Sequence, residues 1–262
     1  MPFFTNDGVR LYYEAHGNGP PLVLSHGYSS TSEMWRGQVD AFSKHYKLIT
    51  WDMRGHGQSD YPDDPSAYSE AHTVSDIAAL IDHLVPNKSQ QVIVGGLSLG
   101  GYISLAFYRT HPERVSKLLI IDTGPGFKKD SAREAWNKTA YRTAESFERK
   151  GLAPLQDASP ERARVTHRNA QGLAHAARGM LAQRNDAVIM SLSGIKVPSL
   201  IVVGTEDKPF LAASDYMAAK IPGAKKVLID GAGHAANIDQ PRAFNEAILS
   251  FLGHGPGAKA KL

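Results

Sequence analysis

The feature that most constrains the fold of this chain is an apolar run that ends in a glycine-flanked serine. The stretch QVIVGGLSLGG, residues 91–101, begins like a buried strand, breaks at paired glycines and resumes with a helical pattern. Its centre, GLSLG at residues 96–100, fits the pattern G-x-S-x-G. In such a turn, small flanking residues let the strand and the helix approach closely and hold the serine in a strained conformation. We therefore expect the Ser98 hydroxyl to project beyond the end of the sheet.

The start of the following helix favours a nucleophile over a phosphate-binding loop. The backbone N–H groups of Leu99 and Gly100 have no partners within the helix, so they can stabilise negative charge that develops beside Ser98. No Gly-Lys-Ser or Gly-Lys-Thr follows, and the glycine spacing does not give the G-x-G-x-x-G of a dinucleotide fold. Negative charge beside Ser98 is what nucleophilic attack on a carbonyl group would generate.

Composition sets limits on the class of protein. With 262 residues, 42% of them hydrophobic, the chain is long enough for one α/β domain with an insertion. A net charge of +3, without clustered basic residues, argues against nucleic acid as a partner. The absence of cysteine excludes disulfides and thiolate catalysis. No signal segment or membrane span is recognisable, so we expect a cytoplasmic protein that does not act at a membrane and leave its oligomeric state open.

Strand-like and helix-like runs alternate along the chain. Residues 3–5 and 9–14, separated by a turn with Asp-Gly, predict an antiparallel hairpin. Buried strands are predicted at residues 21–24, 47–51, 91–95, 115–121, 198–203 and 226–230. Thr73 is expected to cap a helix that ends before Pro86, and a last helix is expected over residues 241–252. This alternation predicts a mostly parallel sheet with helices on both faces and a ligand site at the carboxyl ends of its strands.

The alternation stops between residues 124 and 194, where helix formers and scattered bulky apolar residues follow one another. We interpret this segment as a helical cap, inserted between a first core part at residues 1–123 and a second at 195–252. Four aromatic residues of the cap are expected to pack in part on the strand ends: Phe127, Trp136, Tyr141 and Phe147. Residues 253–262, rich in Gly, Ala and Lys, predict a flexible tail.

Three residues with the chemistry of acyl transfer each follow a predicted strand: Ser98, Asp207 and His234. A serine hydroxyl is a poor nucleophile at neutral pH, so a histidine must take its proton. A buried carboxylate must then fix the imidazole tautomer and stabilise the imidazolium. We assign these roles to His234 and Asp207, with Glu206 and Asp122 as alternatives for the acid.

Two backbone N–H groups are candidates for an oxyanion hole, those of Tyr28 and Leu99. Tyr28 follows a strand that ends in His26-Gly27, and the missing side chain at residue 27 lets the backbone face the site. The side chains of His26 and His56 are interpreted as turn residues. Asp52 and Arg54, in the glycine-broken loop after the strand at 47–51, are interpreted as braces of that loop.

With these motifs in place, the chain resembles the α/β-hydrolase fold superfamily over residues 5–252. HGY at 26–28 is similar to the oxyanion loop of that family, and DMRGHGQS at 52–59 is similar to its D-x-R-G-x-G-x-S loop. GTED at 204–207 is similar to its acid loop. GH at 233–234, with DQP at 239–241, is similar to its histidine loop. The resemblance implies an eight-stranded, mostly parallel sheet with helices on both faces and a helical cap after the sixth strand. It also implies catalysis by Ser98, Asp207 and His234 with no cofactor and no metal.

Within that superfamily, the sequence is most similar to carboxylesterases and enol-lactone hydrolases, which implies a small-molecule ester or lactone as substrate. Ser98 argues against epoxide hydrolases and haloalkane dehalogenases, whose nucleophile is an aspartate. The loop HGYSS at 26–30 differs from the HGGGPG loop usual in C–C bond hydrolases of aromatic degradation. Three alternatives remain open: a C–C bond hydrolase, a cofactor-free perhydrolase, and a ligand receptor of this fold with slow turnover.

Overall fold

A central sheet of eight strands organises the structure, a computed structural model that describes residues 2–156, 158–163 and 165–254. The strands are β1 (Phe3–Asn6), β2 (Val9–His16), β3 (Pro21–Ser25), β4 (Lys47–Trp51), β5 (Val92–Leu97), β6 (Val115–Ile121), β7 (Ser199–Gly204) and β8 (Lys225–Ile229). Their order is β1-β2-β4-β3-β5-β6-β7-β8. Strand β2 pairs antiparallel with β1 and β4, and every other pairing is parallel. The carboxyl ends of β3 to β8 therefore lie along one edge of the sheet.

Helices pack on both faces of this sheet. The α-helices of the described residues are α1 (Arg36–Phe42), α2 (Glu70–Leu84), α3 (Leu99–Thr110), α4 (Asp130–Lys150), α5 (Pro160–Ala163), α6 (Ala170–Ala176), α7 (Ala187–Ser191), α8 (Lys208–Lys220), α9 (Ala236–Asp239) and α10 (Pro241–Leu252). One apolar core forms between the sheet and α2, α3 and α8, and it continues into the helices between β6 and β7. A second core forms on the opposite face, against α1 and α10.

The connection between β6 and β7 contains α4 to α7, short 3₁₀ turns and a π-helical turn at Ala177–Leu181, and its described part contains no strand. Helix α4 packs on α6 and on the π-helical turn. Trp136 of α4 donates its indole N–H to the carbonyl oxygen of Leu181 at 2.8 Å, and this bond connects α4 to the π-helical turn. The division into a first core part, a cap at residues 124–194 and a second core part stays a proposal, and this arrangement agrees with it.

Two predictions about local structure need correction. Ser69, not Thr73, caps α2: its hydroxyl accepts from the N–H of His72 at 3.1 Å, whereas Thr73 lies inside the helix and donates to the Ser69 carbonyl at 2.8 Å. The tail predicted at residues 253–262 is wrong at its first two positions, because Gly253 closes α10 with φ +95° and His254 stacks on His45. The rest of the predicted tail, residues 255–262, lies outside the described residues.

None of the helices in the described ranges combines the length and the hydrophobicity needed to cross a membrane.

Candidate active site

Ser98 lies at a sharp turn between β5 and α3. Its backbone adopts φ +55° and ψ −117°, a conformation that costs energy for any residue with a side chain. Two glycines permit the turn: a Cβ atom on Gly96 would lie 2.5 Å from the carbonyl carbon of Gly100 and 2.6 Å from the carbonyl oxygen of Ser25. The serine is also held by its neighbours, since its N–H donates to the Ile121 carbonyl at 2.9 Å. The G-x-S-x-G spacing thus has a direct steric cause.

Asp207 and His234 form a hydrogen-bonded pair at the same edge of the sheet. Asp207 is the first residue before α8, its side chain is 4% exposed, and its Oδ2 accepts from Nδ1 of His234 at 2.9 Å. The ring of Phe210 stacks on the imidazole with the ring centroids 5.0 Å apart. The carboxylate and the aromatic ring together fix the orientation of His234.

The protonation of His234 is controlled mainly by this carboxylate. Burial alone would lower the pKa of the imidazole, but the hydrogen bond and the negative charge of Asp207 outweigh it and raise the pKa above its ordinary value. The imidazole makes no hydrogen bond to the Ser98 hydroxyl in the described part of the chain. Such bonds are often long before substrate binds and tighten in the reacting complex.

The alternative acids lie elsewhere. Asp122 is buried, with its Oδ1 accepting from the N–H of Gly204 at 2.8 Å and its Oδ2 from the N–H of Ala236 at 3.2 Å. It therefore ties the end of β6 to β7 and to the loop after His234, and burial raises its pKa to about 7. The side chain of Glu206 is exposed, and its contact in this region is through the backbone. Neither carboxyl group is bonded to the imidazole.

The predicted oxyanion donors, the N–H groups of Tyr28 and Leu99, belong to two different elements next to the serine. A Cβ atom on Gly27 would lie 3.5 Å from Cβ of Ser98, so the loop after β3 passes directly beside the serine. Neither the N–H of Tyr28 nor that of Leu99 donates to an acceptor within the described residues. The phenol of Tyr28 has a separate partner, because its OH donates to the Leu173 carbonyl at 2.8 Å. Two free N–H groups beside a serine can stabilise an oxyanion.

Two buried histidines hold the oxyanion loop from opposite sides. Ser29, with φ +55°, donates its N–H to Nε2 of His56 at 3.1 Å, and its carbonyl accepts from Nε2 of His167 at 3.1 Å. Burial lowers the pKa of His56 far below its ordinary value and that of His167 to about 4, so both rings are neutral at pH 7. The first bond fixes the peptide that follows Tyr28, and the second fixes the peptide that follows Ser29. We call this arrangement the Ser29 bracket.

His26 and the loop after β4 have the structural roles that the sequence predicts for them. The ring of His26 donates to the Gly27 carbonyl at 2.7 Å and accepts from the N–H of Met53 at 3.0 Å. Asp52 accepts from the N–H groups of Ser32 at 2.7 Å and Gln58 at 2.9 Å. Arg54 and Asp76 form a fully buried pair with two hydrogen bonds, of 2.7 and 2.6 Å.

A cavity of about 120 Å³ opens beside Ser98. Its wall is largely apolar and includes Leu99, Tyr102, Thr123, Gly126, Phe127, Trp136, Leu181, Gln183, Pro209 and Phe210. Two of the four cap aromatics singled out in the sequence thus line it. Phe147 instead packs on Tyr28 with the ring centroids 6.3 Å apart, and Tyr141 is 40% exposed.

Metal-ligating side chains do not cluster in the described part of the chain: residues 2–156, 158–163 and 165–254 contain no group of three or more His, Asp or Glu side chains arranged to hold an ion.

Comparison with known proteins assigns the family. A family model described as the alpha/beta hydrolase fold matches residues 20–241, so the chain belongs to the α/β-hydrolase fold family. The predicted fold class is thereby confirmed, and with it the resemblance found in the sequence motifs.

Individual relatives are similar over almost their full lengths. A Bacillus subtilis (strain 168) protein that carries the name of a 2-succinyl-6-hydroxy-2,4-cyclohexadiene-1-carboxylate synthase is 30% identical, with 94% of this chain and 96% of that protein covered. 3-Oxoadipate enol-lactonase 2 of Acinetobacter baylyi is 27% identical, with 96% and 98% covered. The structure of a thermophilic esterase from Thermogutta terrifontis superposes with a TM-score of 0.78 at 28% identity, with 96% of each chain covered. The chain is thus a hydrolase of the family to which this enol-lactonase and this esterase belong.

Proposed function

We propose that this protein is a serine hydrolase that cleaves carboxylic esters or lactones of small to medium acyl substrates. The observation that carries the proposal is the position of the Asp207–His234 pair and of Ser98 at one edge of the sheet, with an apolar cavity beside the serine. Ser98 is the nucleophile, His234 the general base and then acid, and Asp207 the residue that orients the imidazole. The N–H groups of Tyr28 and Leu99 form the oxyanion hole.

The reaction proceeds through an acyl-enzyme. Nε2 of His234 takes the proton of the Ser98 hydroxyl as Oγ attacks the carbonyl carbon, and the N–H groups of Tyr28 and Leu99 donate to the oxygen that becomes negative. When the C–O bond breaks, His234 returns the proton to the leaving alcohol oxygen. A water molecule then gives a proton to His234 and attacks the acyl carbon. When the bond between the acyl carbon and Oγ breaks, His234 passes that proton to Oγ, which releases the acid and restores the serine.

Two features of the cavity support an uncharged acyl group of limited size, and two relatives support an ester or a lactone as the substrate. The cavity of about 120 Å³ holds a short chain, and its wall is largely apolar. No Lys, Arg, Asp or Glu side chain belongs to the described wall. The relatives cited above include an enol-lactonase and an esterase, and a lactone is an internal ester that the same steps open.

The test combines a trapping reagent with turnover. The native protein should be labelled stoichiometrically by a fluorophosphonate and should hydrolyse p-nitrophenyl esters of short chain length or simple lactones. Ser98→Ala should abolish labelling and lower kcat/KM by several orders of magnitude. Ser104→Ala is the matched control, because this serine lies on the same helix α3 and bonds to the Gly100 carbonyl at 2.8 Å.

A double variant tests whether the residues act as one unit. Ser98→Ala combined with His234→Ala should cost little more than either change alone, whereas additive losses would contradict a shared mechanism. A folded wild-type protein that takes up no label would overturn the proposal and favour the receptor alternative.

A further inference from the structure

One polar side chain in the cavity wall has no partner in the described part of the protein. Gln183 follows the π-helical turn of the cap, is 9% exposed, and borders the same cavity as Ser98. Its Oε1 is buried and accepts no hydrogen bond from the described residues. A buried acceptor left without a partner costs free energy on the order of 1–3 kcal/mol.

The position of Gln183 is fixed, which distinguishes it from a mobile side chain at the rim. Its backbone N–H donates to Oδ1 of Asn137 at 2.8 Å, and its carbonyl accepts from Nδ2 of the same asparagine at 2.8 Å. The amide packs on the bare backbone of Gly126, where a Cβ atom would lie 2.7 Å from Oε1. The cap thus holds this amide at one place in the wall.

The other polar side chains of the wall, apart from Ser98 itself, are already satisfied. Tyr102 donates to Glu70 at 2.8 Å, Thr123 donates to the Ser98 carbonyl at 2.7 Å, and Trp136 donates to the Leu181 carbonyl at 2.8 Å. A bound acyl chain therefore meets a largely apolar surface with one unsatisfied amide oxygen, Oε1 of Gln183.

We propose that Gln183 is a specificity-determining residue that selects acyl groups carrying a hydroxyl or an amide. This inference rests on the proposed function. Both groups contain a donor, so they can donate to the unpaired Oε1 in a cavity whose wall is otherwise largely apolar. An alkyl chain of the same shape leaves the amide unpaired, and sites built for a hydrogen bond reject analogues that lack the group.

The experiment compares matched substrates in which a hydroxyl replaces a methyl group. The pairs are p-nitrophenyl 3-hydroxybutanoate with 3-methylbutanoate, and p-nitrophenyl 6-hydroxyhexanoate with heptanoate. The measured quantity is the ratio of kcat/KM within each pair. We expect the wild type to favour the hydroxy ester of at least one pair about tenfold, and Gln183→Leu to abolish or reverse that preference.

Gln90→Leu is the control, because this exposed glutamine precedes β5 at the opposite edge of the sheet. Its ratios should equal those of the wild type. Gln183→Met, which keeps the length of the side chain, provides a second variant should the leucine destabilise the cap.

Equal ratios in the wild type and in both Gln183 variants, for both pairs, would overturn the inference. That result is distinguishable from failure of the proposed function. If only the inference fails, Ser98 still reacts with fluorophosphonate and both esters of each pair turn over; if the function fails, the wild type shows neither labelling nor turnover.

Discussion

Replacing Asp207 by asparagine perturbs the proposed site without changing its shape. The side chain is 4% exposed and its Oδ2 lies 2.9 Å from Nδ1 of His234, so the amide of the introduced asparagine would occupy the same place. When that amide turns its NH₂ group toward Nδ1, it stabilises the tautomer with the proton on Nε2. This tautomer cannot take the proton of Ser98.

The size of the effect follows from that tautomer and from the lost charge. We expect kcat/KM to fall roughly 10³- to 10⁴-fold, which corresponds to about 4–5.5 kcal/mol in the activation free energy. A second consequence appears in the pH profile. His234 must be neutral to act as a base, and Asp207 helps to hold its pKa above the ordinary value. In the variant, the pH below which activity declines should therefore move downward.

The assay is kcat/KM for p-nitrophenyl acetate between pH 5 and 9, with circular dichroism to verify folding. Asp122→Asn is the matched control, because Asp122 is also buried but accepts from two backbone N–H groups and not from the imidazole. Its effect on turnover should be mild. A folded Asp122→Asn protein that loses more activity than Asp207→Asn would refute our assignment of the acid, and an unchanged acid limb in Asp207→Asn would refute its electrostatic part.

The remaining predictions concern stability, measured as the free energy of unfolding in urea. Gly100→Ala should cost about 1–3 kcal/mol or prevent folding, because the added Cβ overlaps the Ser25 carbonyl. Gly194→Ala is the control and should have little effect, because no atom lies within 4 Å of its added Cβ. Equal costs for the two variants would contradict the steric account of the turn. Burial lowers the pKa of His167 to about 4, so its stabilising contribution is complete above about pH 6.5, the unfolded value, and declines as the pH falls toward 4. The cost of His167→Gln should therefore be about 2 kcal/mol smaller at pH 5 than at pH 7.5, and a cost independent of pH would contradict a neutral, buried ring.

The sequence predicts those parts of the fold that local chemistry dictates. Buried strands are continuous apolar runs, and the turn at Ser98 follows from the size of its glycine neighbours. The predicted helix cap lies one turn too late because Ser69 and Thr73 are both able to accept from a helix N–H. Their spacing alone does not show which of them begins the helix, since the choice depends on where the chain leaves the preceding 3₁₀ turn at Pro65–Ala67.

Long-range contacts are the part that the sequence does not predict. His167 reaches Ser29 across 138 positions of sequence, and Gln183 is clamped by Asn137, 46 positions earlier. No local periodicity signals either contact. Helical spacing also fails to separate the cap aromatics: Trp136 turns to the cavity, while Tyr141, five residues later on α4, faces solvent.

The Ser29 bracket has a consequence for anyone who recombines parts of this protein. One of its two histidines, His56, belongs to the core and the other, His167, to the segment between β6 and β7. A cap transplanted from another hydrolase without a donor at the position of His167 would leave the carbonyl of Ser29 unpaired and the peptide after Ser29 without this support. Such a chimera would retain Ser98, the proposed nucleophile, but the loop that carries the proposed oxyanion donor Tyr28 would lack one of the two bonds that hold it. The unit of exchange in this chain is therefore the cap together with the loop at residues 26–30, not the cap alone.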